Sequence, residues 1–327
     1  MEKLNIVSLF DGISCGRVAL DRAGIAVNSY TAFEIDKYAK SISRYNYPDI
    51  EQCGDVFDAD FSQFIGYDFV MGGSPCQSWS ISKSNREVDK SGVGWKLFMR
   101  FVDAVRVISP RFFLYENVAS MPQSIKSYIT EELGVEPILI NSALVSAQHR
   151  KRLYWTNIAD ISQPDDRGIV LQDILETGVS ARDKSLCIDA CYYKGGNYTR
   201  PFSQSGKRNM VYEPVRVGSC GTGGQGNRVY SVHGKSVTLM ANGGGRGGHG
   251  GIYKIDLPDG DYVIRKLTPV EAERCQTLPD NYTAFGVDNN GNTVKISNTQ
   301  RYKCVGNGWN VDTIAHILHF VERRGIS

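Results

Sequence analysis

One cysteine of this chain stands where a nucleophile would be presented to a substrate. Cys76 follows Gly72-Gly73-Ser74-Pro75, which comes directly after the short strand-like run 68–71. Most cysteines are small buried hydrophobic residues. A glycine pair and a rigid proline at the end of a predicted strand instead favour a thiol that is presented at the edge of a sheet. The pattern predicts covalent chemistry by a Cys76 thiolate.

Two further clusters of reactive side chains lie beside other apolar runs. Glu116 follows residues 112–115, whose side chains would partly desolvate its carboxyl group and suit it to exchange a proton with a substrate. Arg150 and Arg152 precede the apolar run 153–155, and alternate residues of a strand point to the same side. Two guanidiniums on one side would stabilise a thiolate and an anionic substrate. The plainer alternatives are a capping carboxylate and a solvated charge run.

The first turn of the chain and two acidic residues suggest a nucleoside site. Residues 10–16 form a glycine turn between a predicted strand and helix, where backbone amides could approach a ligand. The turn follows neither GxGxxG nor GxxxxGK(S/T), so a pyrophosphate ligand is disfavoured. Glu34 is placed for ribose hydroxyls, and Asp55 could accept a hydrogen bond from an exocyclic amine. Acids at successive strand ends indicate adenosine, although each alone would pass for an exposed loop residue.

Strands and helices alternate through the first half of the chain and must position these residues. The predicted strands are residues 4–10, 29–33, 68–71 and 112–115, and the predicted helices include residues 37–45 and 97–108. Strands that alternate with helices imply parallel βαβ units, so we predict an α/β fold with a doubly wound, mostly parallel sheet. Ligands of such sheets lie beyond the carboxyl ends of the strands, which is where Glu34, Cys76 and Glu116 stand.

The character of the sequence changes near residue 165. From there to about residue 260 the chain is polar and rich in turns, and 13 of its 34 glycines lie between Gly218 and Gly251. The β-rich runs 228–232 and 236–240 favour a small glycine-rich β module over a flexible linker. The helical pattern of residues 311–324 would return to the first domain. We therefore predict a catalytic domain at 1–164, a second domain at 165–290 and a returning segment at 291–327.

Bulk composition excludes few functions. The 327-residue chain carries 37 Lys and Arg against 35 Asp and Glu, so net charge neither supports nor excludes a nucleic-acid partner. No run of about 18 apolar residues occurs, and we expect a soluble, unsecreted protein that uses no membrane. The eight cysteines are scattered, which favours reduced thiols. Cys187 and Cys191 have a spacing that a metal could use, but no second ligand pair stands nearby, so we expect ordinary thiols and no metal.

Taken in order along the chain, these motifs are similar to those of the DNA cytosine-5 methyltransferase family. The combination of Pro75-Cys76-Gln77, Glu116-Asn117-Val118 and Gln148-x-Arg150-x-Arg152 is highly specific, and the similarity spans nearly the whole chain. The chain resembles the bacterial and phage type, with a first motif, Phe10-Asp11-Gly12, similar to the animal de novo branch. The other matching segments are Glu34, Gly54-Asp55-Val56, 265–279 and Gly306-Asn307. The resemblance implies a class I S-adenosylmethionine-dependent methyltransferase fold with a smaller target-recognition domain.

The resemblance also implies a covalent mechanism on duplex DNA. Cys76 would attack carbon 6 of cytosine, because carbon 5 is too electron-poor to accept a methyl group unaided. Glu116 would contact N3 and the exocyclic amine, while Arg152 would lie beside the substrate with Arg150 and Gln148 in support. The target base would be flipped out of the duplex into the site, and the loop 77–96 would close over the DNA.

Further residues are implied to bind the cofactor and the DNA. S-adenosyl-L-methionine, with S-adenosyl-L-homocysteine as its product, would be held by Phe10, Asp11, Gly12, Ile13, Gly16, Glu34, Ile35, Asp55, Val56, Pro75 and Asn307. The segment 218–245 resembles the family's target-recognition segment, and DNA would be contacted by Gln77, Ser80, Ser82, Gln225, Arg228 and Thr238. Two departures from the common bacterial pattern are Ile35, in place of an aromatic that stacks on adenine, and Gly308-Trp309, in place of Ser-Val.

Three other functions are compatible with parts of the pattern. An RNA cytosine methyltransferase shares the implied fold, but the glycine-rich module and the Pro-Cys-Gln form favour DNA. A catalytically silent DNA-binding subunit would lack the nucleophile or its partners, and a small-molecule methyltransferase would not need residues 165–260. For the favoured function we expect a cytoplasmic, nucleoid-associated monomer in a bacterial or phage-infected cell. A cognate restriction endonuclease of a restriction-modification system is an optional partner.

Overall fold

The computed structural model describes residues 3–75, 78–80, 86–180, 183–190, 192, 210–214, 218–219, 228–231, 252–254 and 262–322. The predicted nucleophile Cys76 lies outside the described residues, as do the predicted DNA contacts Gln77, Ser82, Gln225 and Thr238. Within the described ranges the chain forms one large sheet that is covered by helices, together with several smaller sheets.

A seven-stranded sheet in the order β3-β2-β1-β4-β5-β7-β6 forms the centre of the fold. Its strands are β1 (Leu4–Leu9), β2 (Val27–Phe33), β3 (Glu51–Cys53), β4 (Phe69–Gly72), β5 (Phe112–Val118), β6 (Ile138–Asn141) and β7 (Lys151–Thr156). The strands β1 to β5 run parallel, which confirms the predicted doubly wound, mostly parallel α/β sheet. Because the strand order changes direction between β1 and β4, the carboxyl ends of these two strands flank a crevice.

Within this sheet, β7 runs antiparallel to both of its neighbours, β5 and β6. Nothing in the alternation of strands and helices predicts this reversal. The connection between β6, which ends at Asn141, and β7, which begins at Lys151, is too short for the crossover that a parallel neighbour requires. The reversal brings the first residues of β7 to the edge of the sheet at which the parallel strands end.

Two hydrophobic clusters cover the two faces of the sheet. Successive residues of a strand point to opposite faces, so Ile6 belongs to one cluster and Val7 to the other. The helices of the first cluster are α1 (Cys15–Arg22), α2 (Lys37–Asn46) and α7 (Val311–Glu322), and those of the second are α3 (Val93–Ile108) and α4 (Gln123–Leu133). Helix α7 packs against α1. Since apolar side chains cover both faces, the polar side chains that could do chemistry lie at the edge of the sheet.

Local sequence signals set two of the helix starts. Asp36 accepts hydrogen bonds from the backbone N–H groups of Tyr38 and Ala39, at 2.9 and 3.2 Å, and so caps α2. Thr268 and Glu271 form a capping box at the start of α5 (Pro269–Cys275). The next helix, α6 (Asn298–Asn307), ends at the predicted cofactor residue Asn307.

The chain after β7 forms smaller units. Two three-stranded sheets occur where the sequence predicts a β module, and their strands are β8 (Val179–Ser180), β9 (Met210–Pro214), β10 (Gly218–Ser219), β11 (Arg228–Ser231), β12 (Ile252–Lys254) and β13 (Tyr262–Lys266). The hairpin of β14 (Phe285–Val287) and β15 (Thr293–Lys295) lies against α2, where Ser41 Oγ donates to the Val287 carbonyl at 2.9 Å. The domain limits near residues 165 and 290 stay a prediction. No helix in the described part of the chain is both long and apolar enough to span a membrane.

Candidate active site

A cavity of about 350 Å³ opens at the carboxyl ends of β1, β2, β4 and β5. The amino end of β7 also lines the cavity, because the antiparallel direction of β7 brings that end to the same edge of the sheet. Residues at the junction of α6 with α7 complete the lining. The cavity brings together most of the predicted site residues, namely Phe10, Asp11, Gly12, Ile13, Glu34, Ile35, Pro75, Glu116, Arg150, Arg152 and Asn307. Pro75 is also the residue that immediately precedes Cys76.

Asp11 is the hydrogen-bond centre of the first turn. Its carboxylate accepts hydrogen bonds from the hydroxyls of Ser8 and Tyr30, both at 2.6 Å on Oδ1, and from Ser14 at 2.5 Å on Oδ2. Burial raises the pKa of Asp11, and the three hydroxyl groups oppose that rise. The side chain therefore holds the turn in shape from within, although it also contributes to the cavity wall.

Glu34 joins the end of β2 to the same turn. Its Oε2 accepts the backbone N–H of Gly12 at 2.8 Å, and its Oε1 accepts those of Ile35 and Asp36, each at 2.8 Å. Burial raises the pKa of Glu34, and these backbone hydrogen bonds work against that rise. Gly12 has a φ of +61°, a backbone conformation that glycine adopts without strain. The predicted contact of Glu34 with a ribose stays a prediction.

Asp36 completes a group of three carboxylates, Asp11, Glu34 and Asp36, that we call the acidic wall. Lys303 Nζ, from α6, lies 2.6 Å from Asp36 Oδ2. Burial acts to raise the pKa of Asp36, but the hydrogen bonds from Lys303 and from the start of α2 hold it below its ordinary value. Sequence reasoning named neither residue. The capping position of Asp36 was an available signal, whereas Lys303 arrives from a distant helix without one.

The opposite side of the cavity holds Glu116, Arg150 and Arg152, which we call the arginine wall. Arg152 Nε lies 2.9 Å from Glu116 Oε1, and the Trp309 indole N–H donates to Glu116 Oε2 at 3.2 Å. Glu116 is only 8% exposed, so its charge is compensated inside the protein rather than by solvent. Glu116 and Arg152, which the sequence assigned separately to the substrate, are thus in direct contact.

Among the described residues, the thiol of Cys187 lies beside both guanidiniums. Its Sγ lies 3.3 Å from Arg150 Nη1 and 3.8 Å from Arg152 Nη2. Burial acts to raise the pKa of the Cys187 thiol, but the positive charges of Arg150 and then Arg152 outweigh burial and lower it. The sequence predicted an ordinary thiol here. No local signal could have shown this contact, because it joins residues about 35 positions apart through the fold. Within the described residues, no group of three or more metal-ligating side chains occurs.

Arg150 and Gln148 bind the segments that enclose the site. Arg150 Nη2 donates to the Gly308 carbonyl at 2.8 Å and Nη1 to the Ile188 carbonyl at 3.3 Å. Gln148 accepts the Ile188 backbone N–H at 2.6 Å and donates to the Cys275 carbonyl at 3.1 Å. Arg150 and Gln148 thus both bind the backbone of Ile188, and the predicted support of Arg152 by these two residues stays a prediction.

A buried polar network holds the strand end that leads to Cys76. Ser74 Oγ lies 2.6 Å from Tyr115 Oη, and Asn117 Nδ2 donates to the Ser74 carbonyl at 3.2 Å and to Tyr115 Oη at 3.1 Å. Sequence reasoning assigned no role to these three residues. Their network fixes the path of the chain up to Pro75, the residue that precedes the predicted nucleophile in the sequence.

Some predicted site residues lie elsewhere. Gly16 does not line the cavity but packs in α1, where a Cβ would lie 2.6 Å from Met71 Sδ. Asp55 instead caps a short 3₁₀ helix through the Phe57 N–H at 3.0 Å, and Val56 is buried in a hydrophobic cluster. Of the predicted DNA contacts, Ser80 is partly buried and Arg228 begins β11.

The chain matches the model of a protein family, described as C-5 cytosine-specific DNA methylase, over residues 4–323. It belongs to this family. It is 26% identical over 338 residues to the type II methyltransferase M.HhaI of Haemophilus parahaemolyticus, an alignment that covers 97% of this chain and 93% of the relative. The similarity to the family that the motifs suggested is thereby confirmed.

Phage proteins are also among the relatives. The chain is 27% identical over 313 residues to the orphan methyltransferase M.Rho11sI of Bacillus phage rho11s, covering 79% of this chain and 62% of the relative. It is 30% identical over 290 residues to the orphan methyltransferase M.SPRI of Bacillus phage SPR, covering 75% and 65%. The alignments thus span less than two thirds of the length of these two phage proteins.

Solved structures confirm the fold class. The methyltransferase EhMeth of Entamoeba histolytica superposes with a TM-score of 0.65 at 15% identity, and the match covers 100% of both chains. The Dnmt2 methyltransferase of S. pombe superposes with a TM-score of 0.60 at 13% identity, again over 100% of both chains. At these identities the likeness concerns the fold, which is that of class I methyltransferases.

Proposed function

We propose that this protein transfers a methyl group from S-adenosylmethionine to carbon 5 of cytosine in duplex DNA, through a covalent adduct of Cys76 at carbon 6. The observation that carries the proposal is the contact of Glu116 with Arg152 in a cavity that Pro75, the neighbour of Cys76, also lines. Membership of the C-5 cytosine-specific DNA methylase family supports the substrate class and the reaction.

The cavity fits the methyl donor that a methyltransferase family implies. Its volume of about 350 Å³ lies in the range of small-molecule sites. The cavity combines the apolar side chains of Phe10 and Ile35 with the carboxylate of Glu34. Each carboxylate oxygen offers two acceptor sites, so Glu34 Oε2 can accept a ribose hydroxyl beside the Gly12 N–H that it already binds. When bound, the cofactor supplies an electrophilic methyl group.

The chain's own residues supply the activation of the base. Addition of the Cys76 thiolate forms the bond from sulfur to carbon 6 and makes carbon 5 nucleophilic. Glu116, held by Arg152, contacts N3 and the exocyclic amine and stabilises the charge that develops in the ring. After carbon 5 has gained the methyl group, it loses its proton to a base, and the electron pair released expels the Cys76 thiolate.

Access to the cavity requires the target base to leave the duplex. A base within a stacked duplex cannot reach a pocket at a sheet edge, and flipping it out costs a few kcal/mol. We propose that the predicted loop 77–96, whose last four residues form the start of α3, closes over the DNA. We also propose that residues 218–245 read the target sequence, with Gln77, Ser80, Ser82, Gln225, Arg228 and Thr238 as contacts. Of these contacts, only Ser80 and Arg228 are among the described residues.

We also propose that the protein acts as a cytoplasmic monomer in a bacterial or phage-infected cell, associated with the nucleoid. The support is that its relatives come from Haemophilus parahaemolyticus and from two Bacillus phages. A type II relative further supports a restriction endonuclease as a partner, whereas orphan phage relatives support action alone.

The proposed function is tested by expression in a host that lacks DNA methylation, followed by bisulfite sequencing of the host DNA. We expect conversion-resistant cytosines at one short sequence for the wild-type protein, and none for Cys76→Ala. Purified protein should be incubated in parallel with duplex DNA and with transfer RNA. Methylation of the RNA alone, or of neither nucleic acid, would contradict the proposal.

A further inference from the structure

Both oxygens of the Glu116 carboxyl group are held, and they are held by donors of different kinds. Oε1 lies 2.9 Å from the Arg152 guanidinium, which comes from the neighbouring strand β7. Oε2 accepts the Trp309 indole N–H at 3.2 Å, from a residue 193 positions further along the chain. Two donors on opposite oxygens fix the rotation of the carboxyl plane, which a single donor leaves adjustable.

The protein leaves space for this indole at two glycines. A Cβ at Gly73 would lie 3.1 Å from Trp309 Nε1 and 3.0 Å from Glu116 Oε2, both tighter than ordinary contacts. A Cβ at Gly16 would lie 3.4 Å from Cζ3 of the same ring. Because neither Gly16 nor Gly73 carries a side chain, the indole can reach the Glu116 carboxylate. This also gives Gly16, a predicted cofactor residue, a packing role next to the site.

The backbone that carries Trp309 is tied to the arginine wall. The carbonyl of the preceding residue, Gly308, accepts hydrogen bonds from Arg150 Nη2 at 2.8 Å and from Gln276 Nε2 at 3.3 Å. The Gly308 N–H donates to the Cys304 carbonyl at 3.0 Å, which closes the end of α6. The indole is thus presented from a fixed backbone rather than from a free loop.

We propose that Trp309 is a positioning residue, whose indole N–H fixes Glu116 in the orientation that the methyl-transfer reaction uses. The proposal rests on the proposed function. Trp309 acts through Glu116, so it governs turnover more than binding of the methyl donor.

The decisive comparison is between Trp309→Phe and Glu116→Gln, alone and together. Phenylalanine keeps an aromatic ring against Gly16 and Gly73 but removes the donor. We expect Trp309→Phe to lower kcat about tenfold and to leave the dissociation constant of S-adenosylmethionine, measured by calorimetry, within about twofold. In the Glu116→Gln background the same change should alter kcat less than about twofold, since the carboxyl group that the indole N–H orients has been replaced by an amide.

Three outcomes of this cycle would overturn the proposal. They are a Trp309→Phe kcat equal to that of the wild type, a loss confined to cofactor binding, and effects of the two changes that multiply independently. Trp309→Ala, which removes ring and donor together, should weaken cofactor binding as well as kcat. That difference separates the apolar contact of the ring from the action of its N–H group.

A measurement without methyl transfer tests the contact itself. The chain has four tryptophans, and ¹⁵N labelling of the indoles gives one signal for each, with that of Trp309 identified by its absence in Trp309→Phe. We expect the Trp309 signal to move in Glu116→Gln and to stay in place in Asp103→Asn, which alters an exposed carboxylate on α3. An unmoved signal would contradict the contact. If the wild type fails to methylate DNA while the signal moves, the proposed function alone has failed.

Discussion

The two walls of the cavity neutralise their carboxylates by different means. In the acidic wall, Asp11 and Glu34 accept hydrogen bonds from hydroxyls and backbone amides that lie within 22 residues along the chain. In the arginine wall, Glu116 is held by a guanidinium and by an indole from 193 residues away. The contacts of Asp11 and Glu34 come from one continuous segment, and Asp36 is the member of the acidic wall that takes a cation, Lys303, from a distant helix. The contacts of Glu116 form only when β7 and the α6–α7 junction have packed. Carboxylates that hold a turn in shape can rely on local donors, whereas Glu116 relies on donors from other parts of the fold.

The largest expected effect comes from removing the cation of the arginine wall. Arg152→Met leaves the Glu116 carboxylate without the guanidinium on Oε1, so kcat for duplex DNA should fall about 10²–10³-fold. Single-turnover methyl transfer measures this loss. The matched control is Arg167→Met, which removes a half-exposed surface partner of Asp312 and should change the rate less than about twofold. A variant Arg152→Met that kept more than a tenth of the activity would remove the pair from the mechanism.

The acidic wall should respond chiefly in stability. Asp11→Ala leaves the hydroxyls of Ser8, Ser14 and Tyr30 without their acceptor, so the free energy of unfolding should fall by about 3 kcal/mol. Urea unfolding measures this change. Asp103→Ala, at an exposed pair on α3, should change stability by less than about 0.5 kcal/mol. Equal losses in the two variants would show that the Asp11 network does not hold the turn.

Asp11 also gives the acidic wall a characteristic pH dependence. Burial raises its folded-state pKa above the ordinary value of 3.8. The proton-linked part of the stability that this carboxyl contributes is therefore fully present below 3.8 and is lost as the pH rises through the folded-state pKa, separately from the acceptor role that Asp11→Ala removes. Relative to Asp11→Asn, the wild type should lose unfolding free energy between acidic and neutral pH. A difference that grows as the pH rises would contradict the assigned direction.

The arginine wall should show the opposite pH dependence at Cys187. The two guanidiniums lower the folded-state pKa of this thiol, so its stabilising contribution is present above the unfolded-state pKa and is lost as the pH falls through the folded-state pKa. At alkaline pH, Cys187→Ala should cost about 1 kcal/mol of unfolding free energy, and the cost should shrink toward acidic pH. Urea unfolding under reducing conditions measures this cost and its dependence on pH. A cost independent of pH would argue against a thiolate between the guanidiniums.

The smallest expected effect concerns Ile35, the apolar residue between Glu34 and Asp36 of the acidic wall. Ile35 is 71% exposed and stands where the family often has an aromatic side chain. Ile35→Trp should tighten binding of S-adenosylmethionine by about threefold to tenfold, since an aromatic contact adds about 1 kcal/mol. Calorimetry on this variant and on Ile35→Ala measures both directions. Weaker binding by Ile35→Trp than by Ile35→Ala would exclude the residue from the adenine side of the site.

Local patterns predicted the fold class and much of the site. Asp11, Glu34 and Glu116 each come at the end of a short apolar run in the sequence. The cavity brings these three residues together. The alternation of Arg150 and Arg152 likewise placed both guanidiniums on one side. Such patterns work because burial periodicity and position at a strand end are properties of consecutive residues.

Long-range contacts were not predictable in the same way. The reversal of β7 depends on a short connection, and the contacts of Cys187, Lys303 and Trp309 depend on where distant helices and loops pack. Asp55 caps a short 3₁₀ helix through one carboxylate oxygen, a contact that the sequence analysis did not predict, and its predicted contact with the cofactor stays a prediction.

The covalent role of Cys76 is tested most directly with duplex DNA that contains 5-fluorocytosine at the recognised sequence. Fluorine at carbon 5 cannot leave as a proton does, so the bond from sulfur to carbon 6 should persist after methyl transfer. Wild-type protein with S-adenosylmethionine should form a complex with this DNA that survives denaturing electrophoresis, and Cys76→Ala should form none. The absence of such a complex for the wild type, or its persistence in Cys76→Ala, would contradict the mechanism.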